Sequence, residues 1–330
     1  MVLRFLSWVV ISLLVACSNP GAHKPEDVKN WGEALRKNPQ DTAALYARAN
    51  YFIKNKKLDS ALLDMQQLIR IDSSRAAYFI TLGDIYLFTN RTRFTRQAFE
   101  KAIRLNPANE EAQMKLAELY LYVEMHKEAL DQLNDVLKVN RRNPKAYYMK
   151  GMVYKEAGDT TLALSSFLTA TEQDPSYALA FEQMGLIYAV KHDQRAPDFY
   201  KTALRINPDN PTVMYNLGMY YQQHSLPDKA IETYQELLRL HPDHANAAYN
   251  IGFIKSEIEK KPQEALDWFK KAAGINPAYA EAHYMVGYSL EPSGKRSEAI
   301  EAYRKSLKAD PSFMLARQAL QRLGVSQDSQ

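Results

Sequence analysis

The side chains in this 330-residue chain that could do chemistry are few and scattered. Its seven histidines are His23, His126, His192, His224, His241, His244 and His283, and its one cysteine is Cys17. No pair of the histidines stands in HExxH spacing, the arrangement that turns two imidazoles to one face of a helix for zinc. His241 and His244 in the string HPDH could share a metal with Asp243, but the string reads as a solvated turn built on Pro242. Strings of the type GxSxG, GxxxxGK[ST] or GxGxxG do not occur, so neither a nucleophile elbow nor a phosphate cradle is readable. The acidic pair Glu110-Glu111 falls at a helix start, where carboxylates favour the dipole. We therefore expect no catalytic residue, no metal site, no cofactor and no enzymatic activity.

Two small basic knots remain, Arg91, Arg93 and Arg96 in NRTRFTR, and Arg141, Arg142 and Lys145. Each sits beside a turn and is shorter than the stripe that phosphate binding usually needs. The whole chain holds 42 basic and 38 acidic residues, a net charge of +4. A nucleic-acid partner is not expected from that balance.

What is abundant is periodicity. In Lys145 to Pro175, Tyr147, Gly151 and Tyr154 share one face of a first helix, and Gly158-Asp159-Thr160 breaks it. Ala163, Phe167 and Ala170 stripe a second helix that Asp174-Pro175 ends. Gly151 permits close approach of that second helix, and Ala163 is the small residue expected to face it. The small residue recurs as Ala49, Gly83, Ala117, Gly151, Gly185, Gly218, Gly252 and Gly287, at intervals of 33 to 35 residues. Three positions further on stand Phe52, Tyr86, Tyr120, Tyr154, Tyr188 and Tyr221, then Lys255 as a break, then Leu290. Repeat five is one residue short at 191–194, and repeat seven gains one at 259–262. Loops absorb such changes more cheaply than packed helices do.

On these residues the chain resembles the tetratricopeptide repeat (TPR), a helix pair repeated every 34 residues. The resemblance covers about residues 26–325. It implies an all-α, right-handed superhelical solenoid of about eight helix hairpins with a capping helix at each end, in one domain over 25–325. The repeats would lie near 42–75, 76–109, 110–143, 144–177, 178–210, 211–244, 245–279 and 280–312, with caps at 25–39 and 313–323 and a disordered tail at 326–330.

The N-terminus has its own pattern. Arg4 precedes the apolar run Phe5 to Ala16, too short for a comfortable membrane span of about 20 residues and suited to a signal-peptide core. Leu14-Val15-Ala16-Cys17 resembles the lipobox of bacterial lipoproteins. That resemblance implies a signal peptide over 1–16, acylation of Cys17, and a tether over 17–24 rich in turn formers. Several acyl chains hold a protein on a bilayer where one binds marginally. Ser18 after the cysteine favours the outer membrane, facing the periplasm.

A second stripe lies one residue, about 100°, round the first helices from the core stripe. It includes Tyr148, Met152, Leu186, Tyr215, Met219, Tyr249, Phe253, Tyr284 and Tyr288 toward the C-terminus, and acids at Asp84, Glu118 and Glu182 earlier. In the TPR family this stripe lines the concave face, where peptides or partner helices bind. Asn216 and Asn250 stand beside it in Tyr-Asn-Leu-Gly and Tyr-Asn-Ile-Gly. The resemblance implies that such an asparagine holds a ligand main chain, in repeats six and seven only. The lysine and asparagine pattern of a carboxylate clamp is absent. The expected function is a membrane-anchored, non-enzymatic scaffold that binds protein or peptide partners in the bacterial envelope. A pilotin-like assembly factor for a pilus or secretion pore, an organiser of peptidoglycan hydrolases or proteases, and homo-oligomerisation all stay open.

Overall fold

The computed structural model describes residues 25–325; the expected signal peptide, Cys17, the tether and the tail at 326–330 lie outside the described residues. Every regular element among the described residues is helical. They form two compact units, one ending at Val139 and one beginning at Asn140.

The first unit holds α1 (Pro25–Lys37) and three helix pairs: α2 (Thr42–Lys54) with α3 (Leu58–Ile71), α4 (Ala76–Phe88) with α5 (Thr92–Leu105), and α6 (Glu110–Tyr122) with α7 (His126–Val139). The second unit holds five pairs beginning with α8 (Pro144–Glu156) and α9 (Thr160–Gln173), then α10 (Ala178–Val190) and α11 (Ala196–Ile206). Next come α12 (Pro211–Gln223) with α13 (Pro227–Leu240), and α14 (Ala245–Phe253) with α15 (Pro262–Ile275). The pair α16 (Ala280–Leu290) and α17 (Arg296–Ala309) is followed by the single helix α18 (Met314–Arg322). Inside each unit a helix packs on the one before it and the one after it.

Local chemistry fixes these ends. Asp41, Asn109, Asn143 and Asn210 cap α2, α6, α8 and α12, each side chain accepting from an N–H three residues on at 2.8–3.1 Å. Such a cap is worth about 1 kcal/mol. Within each pair the chain turns through a residue of positive φ: Lys56, Asn90, Glu124, Gly158, His192, Ser225, Lys260 and Gly294. Only two of the eight are glycine, so the other six hold a conformation that costs an L-residue about 1–2 kcal/mol.

The lock between paired helices also involves a large ring. A Cβ placed on Gly151 would lie 2.4 Å from the ring of Phe167, inside van der Waals contact. The same holds for Gly83 with Phe99, Gly185 with Tyr200, Gly218 with Tyr234, Gly252 with Phe269 and Gly287 with Tyr303. The absent side chain makes room for a large ring, and all six rings are buried. Where the small residue is alanine, at Ala49 and Ala117, the residue in the ring's place is aliphatic: Met65 or Leu133. One methyl more on the first helix is matched by a slimmer side chain on the second, as close packing requires.

The extra residue of repeat seven also sits elsewhere than expected. It is taken up not at 259–262 but in a π turn, Ile254–Ile258, that continues α14. Lys255, the break in the aromatic series, belongs to this turn, its ammonium 3.0 Å from Glu259 and 3.2 Å from Glu264. In repeat five, α11 has 11 residues where the other second helices have 14, so the loss shortens the turn and the start of that helix.

Candidate partner-binding face of the first helices

The stripe tyrosines are wedges. Tyr148 packs on Phe167 of its own pair at 5.6 Å between ring centres and on Tyr177, at the entry to the next repeat, at 5.4 Å. Tyr215 does the same with Tyr234 and His244, Tyr249 with Phe269 and Tyr279, and Tyr284 with Tyr303 and Phe313. Ring pairs at such distances add about 0.5–1.5 kcal/mol beyond area burial. Each tyrosine thus joins its own lock ring to the following repeat. Burial, which disfavours the phenolate, holds the Tyr148, Tyr249 and Tyr284 hydroxyls above their ordinary range.

One turn further along, the stripe is more open. Leu186, Met219 and Phe253 are half-buried, and Tyr288 is 43% exposed with its ring 6.2 Å from that of Tyr284. Met152, at the same place in α8, is buried.

The polar residue two positions before the small one links neighbouring first helices, a role the sequence reading missed. Thr81 meets the Tyr46 hydroxyl at 3.2 Å, Lys115 donates to Asp84 at 2.8 Å, and Gln183 accepts from Lys155 at 2.8 Å. Asn250 follows this rule: only 8% exposed, its amide donates to the Tyr234 hydroxyl at 3.1 Å, the Tyr215 hydroxyl at 3.3 Å and the Met219 sulfur at 3.3 Å. Its N–H groups are directed into the array. Asn216 departs from the rule, for its half-buried amide makes no hydrogen bond among the described residues. At the places that Tyr215 and Met219 hold upstream of Asn250, the first helix before Asn216 carries Glu182, which already accepts from Asn210 at 3.2 Å, and Leu186, which cannot accept. Helices α10 and α12 are in contact. The Glu182 carboxyl is raised by burial, opposed by Asn210 and Lys155. The signal for this distinction lies about 35 residues upstream, as in Tyr215 before Asn250.

The HPDH histidines are engaged separately. His244 Nδ1 accepts from the Ala247 N–H at 3.2 Å and so caps α14, while His241 Nε2 lies 2.7 Å from Asp209. Among the described residues no three His, Cys, Asp or Glu side chains converge as metal ligands would. No described helix is long and apolar enough to cross a membrane.

Comparison with known proteins follows the same lines. Two family models, both described as tetratricopeptide repeat, match residues 28–76 and 215–280, and residues 76–109, 144–177 and 280–313. Together they cover more than half of the chain, which belongs to the TPR family. It is similar to BBSome complex member BBS4 of Bos taurus, 23% identical over 202 residues, 61% of this chain and 38% of that protein. It is also similar to the DnaJ homolog subfamily C member 7 homolog of Schizosaccharomyces pombe, 24% identical over 225 residues, 59% of this chain and 47% of the relative. Human protein O-mannosyl-transferase TMTC3 is 25% identical over 158 residues, 46% of this chain and 17% of its own length. The chain spans less than half the length of each of these relatives. Among solved structures, the C-terminal part of a TPR repeat-containing protein from Cytophaga hutchinsonii superposes with a TM-score of 0.62 at 17% identity, covering 72% of this chain and 98% of that one. That likeness is one of fold: an all-helical TPR solenoid.

Proposed function

We propose that this chain is a non-enzymatic scaffold that captures a protein or peptide on the first helices of repeats five to eight. The observation that carries the reading is the unpartnered amide of Asn216, on the helix face that carries the half-buried Met219, where the equivalent amide of Asn250 is tied internally. A ligand main chain needs an N–H donor and a carbonyl acceptor, and an asparagine amide offers both. Leu186, Met219, Phe253 and Tyr288 add adaptable apolar and aromatic contact at low entropic cost. The tyrosine wedges hold this face preformed, so little ordering entropy is lost on binding.

The lipobox-like Leu14-Val15-Ala16-Cys17 supports placing the scaffold on the bacterial envelope through acylated Cys17, at the outer membrane facing the periplasm. Confinement there raises the effective concentration of whatever the scaffold holds. The reading is tested by in-cell crosslinking from a photo-reactive residue at Met219 and, separately, at Leu168 on a second helix. A partner captured from 219, lost with Asn216→Ala, and absent from 168 supports it; equal capture from both positions contradicts it. The tether is tested by the intact mass of the mature chain, which should start at Cys17 with acyl groups; a free thiol there would retire it.

A further inference from the structure

The exposed aromatics of the first unit gather at one edge. Its helices are joined by short connections, at 55–57, 89–91 and 123–125 within pairs. Three residues cannot lead the chain back along a 13-residue helix about 20 Å long, so successive helices run antiparallel. The three inner turns therefore project from a single edge. Phe88 ends α4, Phe94 stands in the first turn of α5, and Tyr122 ends α6, with exposures of 47%, 50% and 56%. Val123 is exposed beside Tyr122. No other aromatic among the described residues of this unit is exposed.

The same turns are basic. Lys54, Lys56 and Lys57 surround the first, Arg91, Arg93 and Arg96 the second, and Lys127 the third, all exposed. Arg96 lies 3.7 Å from Glu100, whereas Lys54, Lys56, Lys57, Arg91 and Arg93 have no carboxylate partner among the described residues. The acids exposed at this edge are Asp59 and Glu124. Arg93, Arg96 and Val123 line one shallow depression of about 270 Å³ with Leu119 and Met125, which ties the second and third turns into a single surface. At the opposite edge, the acids Asp41, Asp72, Glu110 and Glu111 alternate with basic side chains, and no exposed aromatic is found among the described residues there.

We infer that this edge is a docking surface for an anionic phospholipid bilayer. Unpaired cations meet the headgroup charge, while aromatic rings at the tips of short turns suit the headgroup level, where one end of a ring is apolar and the other wet. A duplex nucleic acid or an acidic protein would use the cations but has no general need for rings on separate turns. The tether proposed above would bring the edge to a bilayer, but the surface chemistry is independent of it.

The test uses the full chain with Cys17→Ser, so that no acyl anchor contributes, and vesicles of phosphatidylcholine alone or with about a third phosphatidylglycerol. Whatever the N-terminal apolar run adds is common to all samples, and the difference between vesicles is what is read. Binding to the anionic vesicles should be at least tenfold tighter and should weaken with salt. Each cation near such a surface is worth about fivefold, so Lys57→Glu with Arg91→Glu and Arg93→Glu should abolish the difference with circular dichroism unchanged. Phe94→Ser with Tyr122→Ser should weaken binding severalfold. Equal binding to both vesicles, or a triple variant that binds like the parent, overturns the inference. So does single-stranded DNA bound as tightly as the vesicles with no effect of the aromatic pair. Lipidated Cys17 together with inert edge variants would keep the tether and remove this surface; the converse result would do the reverse.

Discussion

Repeats six and seven begin on nearly the same string, Tyr-Asn-Leu-Gly and Tyr-Asn-Ile-Gly, and use it in opposite ways. In repeat seven the amide of Asn250 is buried against the Tyr215 and Tyr234 hydroxyls. In repeat six the corresponding upstream places are held by Leu186 and by a Glu182 already engaged by Asn210. The same residue in the same register is mortar in one place and an unpaired amide in the other. What decides is the residue about one repeat upstream, because a stacked array satisfies its polar groups between neighbours rather than within a repeat.

Substitutions can break or sharpen that contrast. The largest effect is expected for Tyr234→Ala, which empties the space over Gly218 and removes an acceptor from Asn250. It should cost about 3–5 kcal/mol, read as a lowered midpoint in urea. Next, Gly252→Ala forces a methyl against the Phe269 ring, whose nearest atom would be 2.8 Å away, and should cost about 1–3 kcal/mol. Adding Phe269→Leu should recover part of that loss, as the native pairs Ala49 with Met65 and Ala117 with Leu133 suggest; a double variant worse than the sum of its parts would refute the volume match.

A gain is expected at the inner turns. Ser225 and Lys260 hold φ of 56° and 58°, so either residue changed to glycine should stabilise by about 0.5–1 kcal/mol, seen as a higher midpoint. The smallest effect is acid sensitivity at the junction of the two repeats. Burial holds the His244 imidazole below its ordinary 6.5. The folded state therefore favours the neutral ring that caps α14, so this contribution is complete above about pH 6.5 and is lost as pH falls. His244→Asn keeps a capping acceptor that does not titrate, and its melting curve should change less between about pH 7 and pH 5 than the parent's.

Much of the fold was legible because Gly151, Phe167 and their counterparts recur at a fixed spacing, and packed helices tolerate no drift in that register. Spacing did not reveal what faces what. Size matching points Gly151 to Ala163 but does not show that the missing Cβ also makes room for the Phe167 ring. Counting from Gly252 to Pro262 showed one residue too many, but only the backbone shows it in a π turn. The stripe tyrosines were legible as a series, yet their wedging between lock ring and next repeat depends on Tyr177, His244, Tyr279 and Phe313, which no first-helix pattern contains. The NRTRFTR knot looked like an ordinary solvated turn until its neighbours along the edge were known.

The most direct test sets Asn216→Ala beside Asn250→Ala, each assayed for thermal stability and for partner capture from position 219. Asn250→Ala should lose about 1–3 kcal/mol of stability, while Asn216→Ala should melt within about 0.5 kcal/mol of the parent and lose at least fivefold in capture. An Asn216 variant that captures its partner unimpaired, or that is destabilised as much as the Asn250 variant, would contradict the account.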